Sequence, residues 1–179
     1  MPTIFSHAAA AVSLGTLFSP SQSKPRFWIL TAVCAMLPDA DVVGFLFDVP
    51  YGSMFGHRGF THSLVFGLLI GVVVWFSAFR NSQCSRYKII LYFAAITFTH
   101  PILDMFTNGG LGVALFEPFT DARFYSPWRP IEASPIGVGF FSQAGVNVIM
   151  NELMWIWAPS LLIGAIILFL RRKTTIRIN

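Results

Sequence analysis

The chain alternates between long apolar stretches and short polar breaks, with neither the period of a soluble amphipathic helix nor the alternation of a strand. Five apolar segments stand out, at about 4–18, 27–47, 60–79, 89–106 and 153–170. A membrane-crossing helix needs roughly 20 mostly apolar residues. The first segment is short, and the second is interrupted by Leu37-Pro38-Asp39-Ala40-Asp41. The pattern predicts an all-α integral membrane protein, a bundle of four to five transmembrane helices forming one domain over 1–179. In the four-span version the first segment lies in the interface. That segment has no Lys or Arg before it, so it reads as a span and not as a secretory signal.

Between the fourth and fifth segments runs a long stretch, about 107–151, with four prolines, several glycines and the aromatics Phe116, Phe119, Phe124, Tyr125 and Trp128. A loop of this length is uncommon and often functional. Its aromatic content suggests that it lies on the membrane surface or caps a cavity. Trp128, Trp155 and Trp157 fit an interfacial belt. No internal repeat, low-complexity segment or Gly-rich phosphate loop is present.

Composition agrees with a bilayer as solvent. Hydrophobic residues make up 55% of the 179 and charged residues 11%, against about 25% charged in average soluble chains. The net charge of +4 does not imply a nucleic-acid partner, because the basic residues sit in short groups between apolar runs. Those groups are informative about orientation. Lys24, Arg26, Arg80, Arg86, Lys88, Arg171, Arg172, Lys173 and Arg177 are nine of the twelve basic residues, and no acid lies among them. Five spans put them all on one side, which the positive-inside rule makes cytoplasmic. The N-terminus is then outside and the C-terminus inside a bacterial inner membrane. Cys34 and Cys84 form no CxxC pair and lie at different depths, so neither a disulfide nor a zinc–thiolate site is expected.

Ionisable groups inside spans are costly and usually face a cavity or a partner. Here they are His7, Asp39, Asp41, His62, His100 and Asp104, with His57 just before the third span. All four histidines are included. On the predicted topology these seven groups, from four segments, converge at one depth near the outer face. His100 and Asp104 are i,i+4 and share a helix face. Asp39 and Asp41 are i,i+2 and point apart on a regular helix, unless Pro38 breaks it. In His57-Arg58-Gly59-Phe60-Thr61-His62, Gly59 permits a tight turn and Thr61 a hydrogen bond. Imidazole with carboxylate suits a divalent ion, zinc first, with manganese and iron as alternatives, one or two per chain. All seven residues are therefore candidate metal ligands. Asp39 and Asp41 are also candidate catalytic carboxylates, one of them serving as general base. Arg58, Arg123 or Arg129 would hold an anionic group. The plainer reading of a lone His7 is helix packing, and that of Arg58 a snorkelling side chain. Asp48, Glu117, Asp121 and Glu132 read as solvated loop charges, and Glu152 as a favourable charge at a helix N-terminus.

The blocks Leu37-Pro38-Asp39-Ala40-Asp41, His57-Arg58-Gly59-Phe60-Thr61-His62-Ser63 and His100-Pro101-Ile102-Leu103-Asp104 resemble the YdjM-like family of bacterial inner-membrane metal-dependent hydrolases. So do Thr107-Asn108-Gly109-Gly110, Phe116-Glu117-Pro118-Phe119 and Ser126-Pro127-Trp128-Arg129-Pro130-Ile131. Pro101 and Glu117 depart from the usual residues without removing a ligand. The resemblance implies a membrane-bound hydrolase whose metal site uses these histidines and aspartates. A site at headgroup depth makes a lipid-linked ester or phosphoester the expected substrate, with membrane lipids as partners. Sequence leaves the oligomeric state open. Two other functions fit the residues: a metal-ion or proton transporter, and a non-catalytic membrane scaffold.

Overall fold

A computed structural model describes residues 1–18 and 25–176, without the side chains of 172–176. Lys24, Arg177 and the side chains of Arg172 and Lys173 lie outside the described residues. Among those residues the protein is all-helical, with two isolated β-bridges and no strand. The helices are α1 (Ile4–Gly15), α2 (Pro25–Met36), α3 (Leu64–Val74), α4 (Arg86–Met105), α5 (Gln143–Glu152) and α6 (Ala158–Ile176). A 3₁₀ segment (Leu37–Phe47) extends α2, a π segment (Trp75–Phe79) extends α3, and another (Leu153–Trp157) joins α5 to α6.

Three continuous helical stretches are long and apolar enough to cross a membrane: Pro25–Phe47, Arg86–Met105 and Gln143–Arg171. Ile4–Gly15 and Leu64–Phe79 are apolar but shorter. The last helix begins at Gln143, about ten residues before the expected 153, so the irregular stretch after α4 is shorter than its sequence suggests.

α1 packs on α2, α4 and α6, while α3 packs chiefly on α4. The α3–α4 contact rests on Gly67 and Gly71, one turn apart. A Cβ on Gly71 would lie 2.3 Å from the Ile90 carbonyl oxygen, and one on Gly67 3.1 Å from that of Ala94. Small residues at this spacing let membrane helices approach backbone to backbone. The outward faces keep Leu68, Leu69, Val72 and Val73 of α3, and Leu161, Leu162 and Ile166 of α6, exposed. No polar side chain interrupts these patches, which suit lipid contact.

Two cores divide the bundle lengthwise. At the end bearing Arg26 and Arg86, Phe27, Cys34, Ala35, Val74, Ile89, Tyr92, Phe93 and Ile96 pack together. Thr31 and Tyr92 bond across α2 and α4 there at 2.8 Å. At the other end Ala10, Ile131 and Ile156 form a smaller core under the loop. Two acids differ from expectation. Glu152 is buried within the continuous helix, where it accepts bonds from Thr3 Oγ1 and Ser6 Oγ at 2.6 Å each. It opens no helix because α5 continues through it. Glu117 is also buried, since the turn from Phe116 to Phe119 folds it under the loop. Trp157 is not simply interfacial either, as its Nε1 donates to Ser6 Oγ at 2.7 Å.

The Gly71 contact yields a direct test. Overpacking a close interface costs about 1–3 kcal/mol, so Gly71→Leu should lower the melting midpoint of the detergent-solubilised chain. Gly67→Ala, with more room, should lower it less. Equal midpoints for Gly71→Leu and wild type would refute this account of the packing.

Candidate metal centre

The polar residues converge where the ends of four helical segments meet the loop. The α-helix of α2 gives way to 3₁₀ geometry at Leu37, with Pro38 at its start. The tighter winding turns Asp39 and Asp41 toward opposite sides of His62. His62 Nδ1 lies 3.2 Å from Asp41 Oδ2, and its Nε2 lies 3.9 Å from Asp39 Oδ1. His62 ends a short 3₁₀ turn, Phe60–His62, just before Ser63 caps α3 by accepting from Phe66 N at 3.1 Å. His100 and Asp104 project from the last turns of α4, which continues through Pro101. His7 comes from α1, with its ring stacked on His100 at 3.5 Å between centroids.

All seven sequence-predicted residues thus come together, but not into one equivalent set. Asp39, His62, His100 and Asp104 each offer a ligand atom within 4.8 Å of the others, and all four are buried. The contacts around this set are His100 Nε2–Asp39 Oδ1 at 3.2 Å, His62 Nε2–Asp104 Oδ2 at 3.4 Å, His62 Nε2–Asp39 Oδ1 at 3.9 Å and His100 Nε2–Asp104 Oδ2 at 4.0 Å. Ligand atoms of a tetrahedral zinc site, at about 2.0–2.2 Å from the ion, are about 3.3–3.6 Å apart. The observed spacing brackets that range.

Hydrogen bonding sets these ligand atoms, together with the His7 nitrogens, apart from Asp41 and His57. His62 Nε2, His100 Nε2 and both carboxylate oxygens of Asp39 and of Asp104 are buried without a hydrogen-bond partner. The opposite nitrogen of each histidine is anchored. His100 Nδ1 donates to the Ala35 carbonyl at 2.7 Å, and His62 Nδ1 faces Asp41 and Thr61. Such outer partners fix the tautomer of a metal-binding imidazole. Buried polar atoms are otherwise nearly always satisfied, so the donor set fits a divalent cation on grounds of its own.

Asp39, Asp41 and His57 form a second possible group, but its members are already engaged. Asp41 lies 2.6 Å from His57 Nδ1 and accepts from Arg58 N at 3.0 Å and Thr61 Oγ1 at 2.7 Å. Asp41 therefore resembles a brace between His57 and His62 more than a vacant ligand. His7 stands at the rim. Both of its nitrogens lack hydrogen-bond partners, and Nε2 is 3.7 Å from Asp104 Oδ1.

Arg58 is buried in the left-handed backbone region, at φ 62°. That conformation is uncommon outside glycine and turns the side chain inward. Its Nε contacts Asp104 Oδ2 at 2.9 Å, Nη1 donates to the Gly109 carbonyl at 3.0 Å and Nη2 to Thr107 Oγ1 at 2.8 Å. Arg123 points into the loop, donating to the carbonyls of Tyr51 at 3.2 Å and His57 at 3.3 Å. Arg129 stacks over Tyr125. Sequence reasoning missed the Ala35 carbonyl, Thr107 and Tyr51. Thr107 had a signal, three residues beyond Asp104 at a helix end. The Tyr51 ring rests edge-on against His57, and burial pushes its phenol above its ordinary pKa.

The loop closes over this end. Ala114 N bonds to the Arg58 carbonyl at 3.0 Å, Leu64 N to that of Leu115 at 3.0 Å and Ser126 N to that of Met105 at 2.9 Å. Bridges Thr107–Ile131 and Val113–Phe124 hold it together.

Comparisons with known proteins agree with this architecture. A family model described as YdjM inner membrane protein matches residues 1–175. Inner membrane protein YbcI of Escherichia coli K12 is 38% identical over 173 residues, covering 96% of this chain and 100% of that protein. No solved structure matches. With the match running almost end to end, the chain belongs to the YdjM inner membrane protein family.

Proposed function

We propose that this membrane protein is a metal-dependent hydrolase that holds one divalent cation, zinc in preference to manganese or iron, between Asp39, His62, His100 and Asp104. The observation that carries this reading is the set of buried ligand atoms without hydrogen bonds, facing one another from three segments. A cation held there would supply the Lewis acidity that lets water ionise near neutral pH. Asp39, Asp41 and Asp104 bring an excess of carboxylate to the cluster, and the Arg58 guanidinium pairs with Asp104. A dication balances that excess in a place where unpaired charge is expensive.

The remaining residues take supporting roles. His57, with Nδ1 held by Asp41, exchanges protons through Nε2, the arrangement of a base and its orienting carboxylate. Asp41 then acts as a positioning residue, in place of the general-base role open to it from sequence alone. Arg58 holds Asp104 and ties the loop to the site. The substrate is a lipid-linked ester or phosphoester. This class suits the exposed aromatic side chains of the segments that carry and cover the site, Phe47, Phe55 and Phe119. On the positive-inside rule the site faces away from the cytoplasm, with the N-terminus outside and the C-terminus inside. The transporter reading is disfavoured by the aromatic and aliphatic core beneath the site, which offers an ion no continuous polar path.

Metal analysis of the purified full chain should find about one divalent ion per chain. His62→Ala and His100→Ala should each lower occupancy at least about tenfold, the scale for losing supports of a metal site. Unchanged metal in both variants would remove the basis of the assignment. His57→Ala should keep its metal and lose about 10²–10⁴-fold in hydrolysis of a lipid-linked ester, the usual contribution of a general base. Full activity in that variant would rule out His57 as the base.

A further inference from the structure

The opposite end of the bundle carries a second polar feature, unrelated to the metal centre. A cavity of about 550 Å³ opens there, lined by Arg26, Phe76, Ser77, Arg80, Asn81 and Ser82 among others. Arg26 belongs to the first turn of α2, and Arg80 follows the π segment that extends α3. Each guanidinium rests over a ring, Arg26 on Phe79 at 4.9 Å and Arg80 on Phe76 at 5.8 Å. These contacts bias the two exposed side chains toward the cavity. The positive end of the α2 dipole adds to the same field.

No acidic side chain lies in the segments that carry them. All eight acids of the chain fall between Asp39 and Glu152, and none occurs in 1–38, 64–103 or 153–179. These acid-free stretches supply α1, α2, α3, α6 and all of α4 up to Leu103. No acidic side chain of these segments supplies the counter-charge, which leaves the two guanidiniums suited to an external anion. Neutral donors are at hand as well. Ser82 Oγ accepts from Cys84 N at 3.1 Å, which leaves its hydroxyl proton for another acceptor. Asn81 is exposed at the cavity wall.

We propose that this cavity binds a phosphate group, and specifically the headgroup phosphate of an anionic phospholipid. Arginine with hydroxyl and amide donors is the chemistry that recognises phosphate, and basic pockets between membrane helices take anionic headgroups. A lipid is favoured over free phosphate because Val72, Val73 and Phe76 continue the cavity as an exposed apolar face along α3, where an acyl chain can lie.

The test is native mass spectrometry of the full chain in detergent, titrated in parallel with phosphatidylglycerol, phosphatidylcholine and inorganic phosphate. Wild type should retain phosphatidylglycerol at least about tenfold better than phosphatidylcholine, the scale of one charge-assisted contact. The Arg26→Gln, Arg80→Gln pair should abolish that preference. Arg80→Gln alone should weaken it, in case the pair folds poorly. Arg86→Gln, whose side chain is turned onto Tyr87, should leave it intact. Displacement of the lipid by millimolar phosphate would uphold the anion site and show that the free ion also fits. Equal retention of the two lipids by wild type, or a preference that survives in both Arg80 variants, would overturn the proposal. Metal content at the far end of the bundle should be the same in all these variants and reports that they fold.

Discussion

The structure is organised around a concentration of negative charge in a place that disfavours it. Asp39, Asp41 and Asp104 are drawn together at the end of an apolar bundle, with Arg58 as the buried cation among them. Desolvating such groups is costly unless each finds a partner. Two solutions operate side by side. Asp41 is satisfied by protein donors, namely the His57 and His62 rings, the Arg58 amide and the Thr61 hydroxyl. Asp39 and Asp104 face the nitrogens of His62 and His100 without hydrogen bonds, and the Arg58 guanidinium pairs with Asp104 at 2.9 Å. The first solution braces the site. The second leaves a donor set that could hold a metal ion.

Irregular backbone makes this convergence possible. A plain α-helix through Asp39 and Asp41 would send them apart, and the 3₁₀ winding places them on either side of His62. Arg58 enters the interior from a left-handed residue whose carbonyl is held by Ala114. Irregular backbone at membrane depth is tolerated where protein covers it, and here the loop after α4 provides the cover. Arg123 contributes by gathering carbonyls from the segment before His57. Its charge stabilises the lid.

The two ends of the bundle are electrostatic opposites. Acids cluster around the candidate metal centre, while the other end has arginines and no acid. The apolar core lies between them and separates the two charged groups in space.

Sequence by itself determined the solvent and the class of fold, and it singled out the polar residues that the fold brings together. Apolar runs and scarce charge leave a helical membrane protein, and four histidines set among aspartates mark a site, because intramembrane ionisable groups are too costly to be incidental. Boundaries were less legible. The apolar pattern fades at 143–152, yet α5 extends through it because Glu152 is buried against Thr3 and Ser6. Only the tertiary structure decided how the seven polar residues divide. Spacing along the chain cannot tell that Asp41 is consumed by four donors from the His57–His62 turn, while Asp39 faces His100 with its oxygens unsatisfied. That division depends on contacts between distant segments, such as His7 against Asp104 and the Ala35 carbonyl, 65 residues away, that fixes His100. Such contacts exist only once the helices have packed.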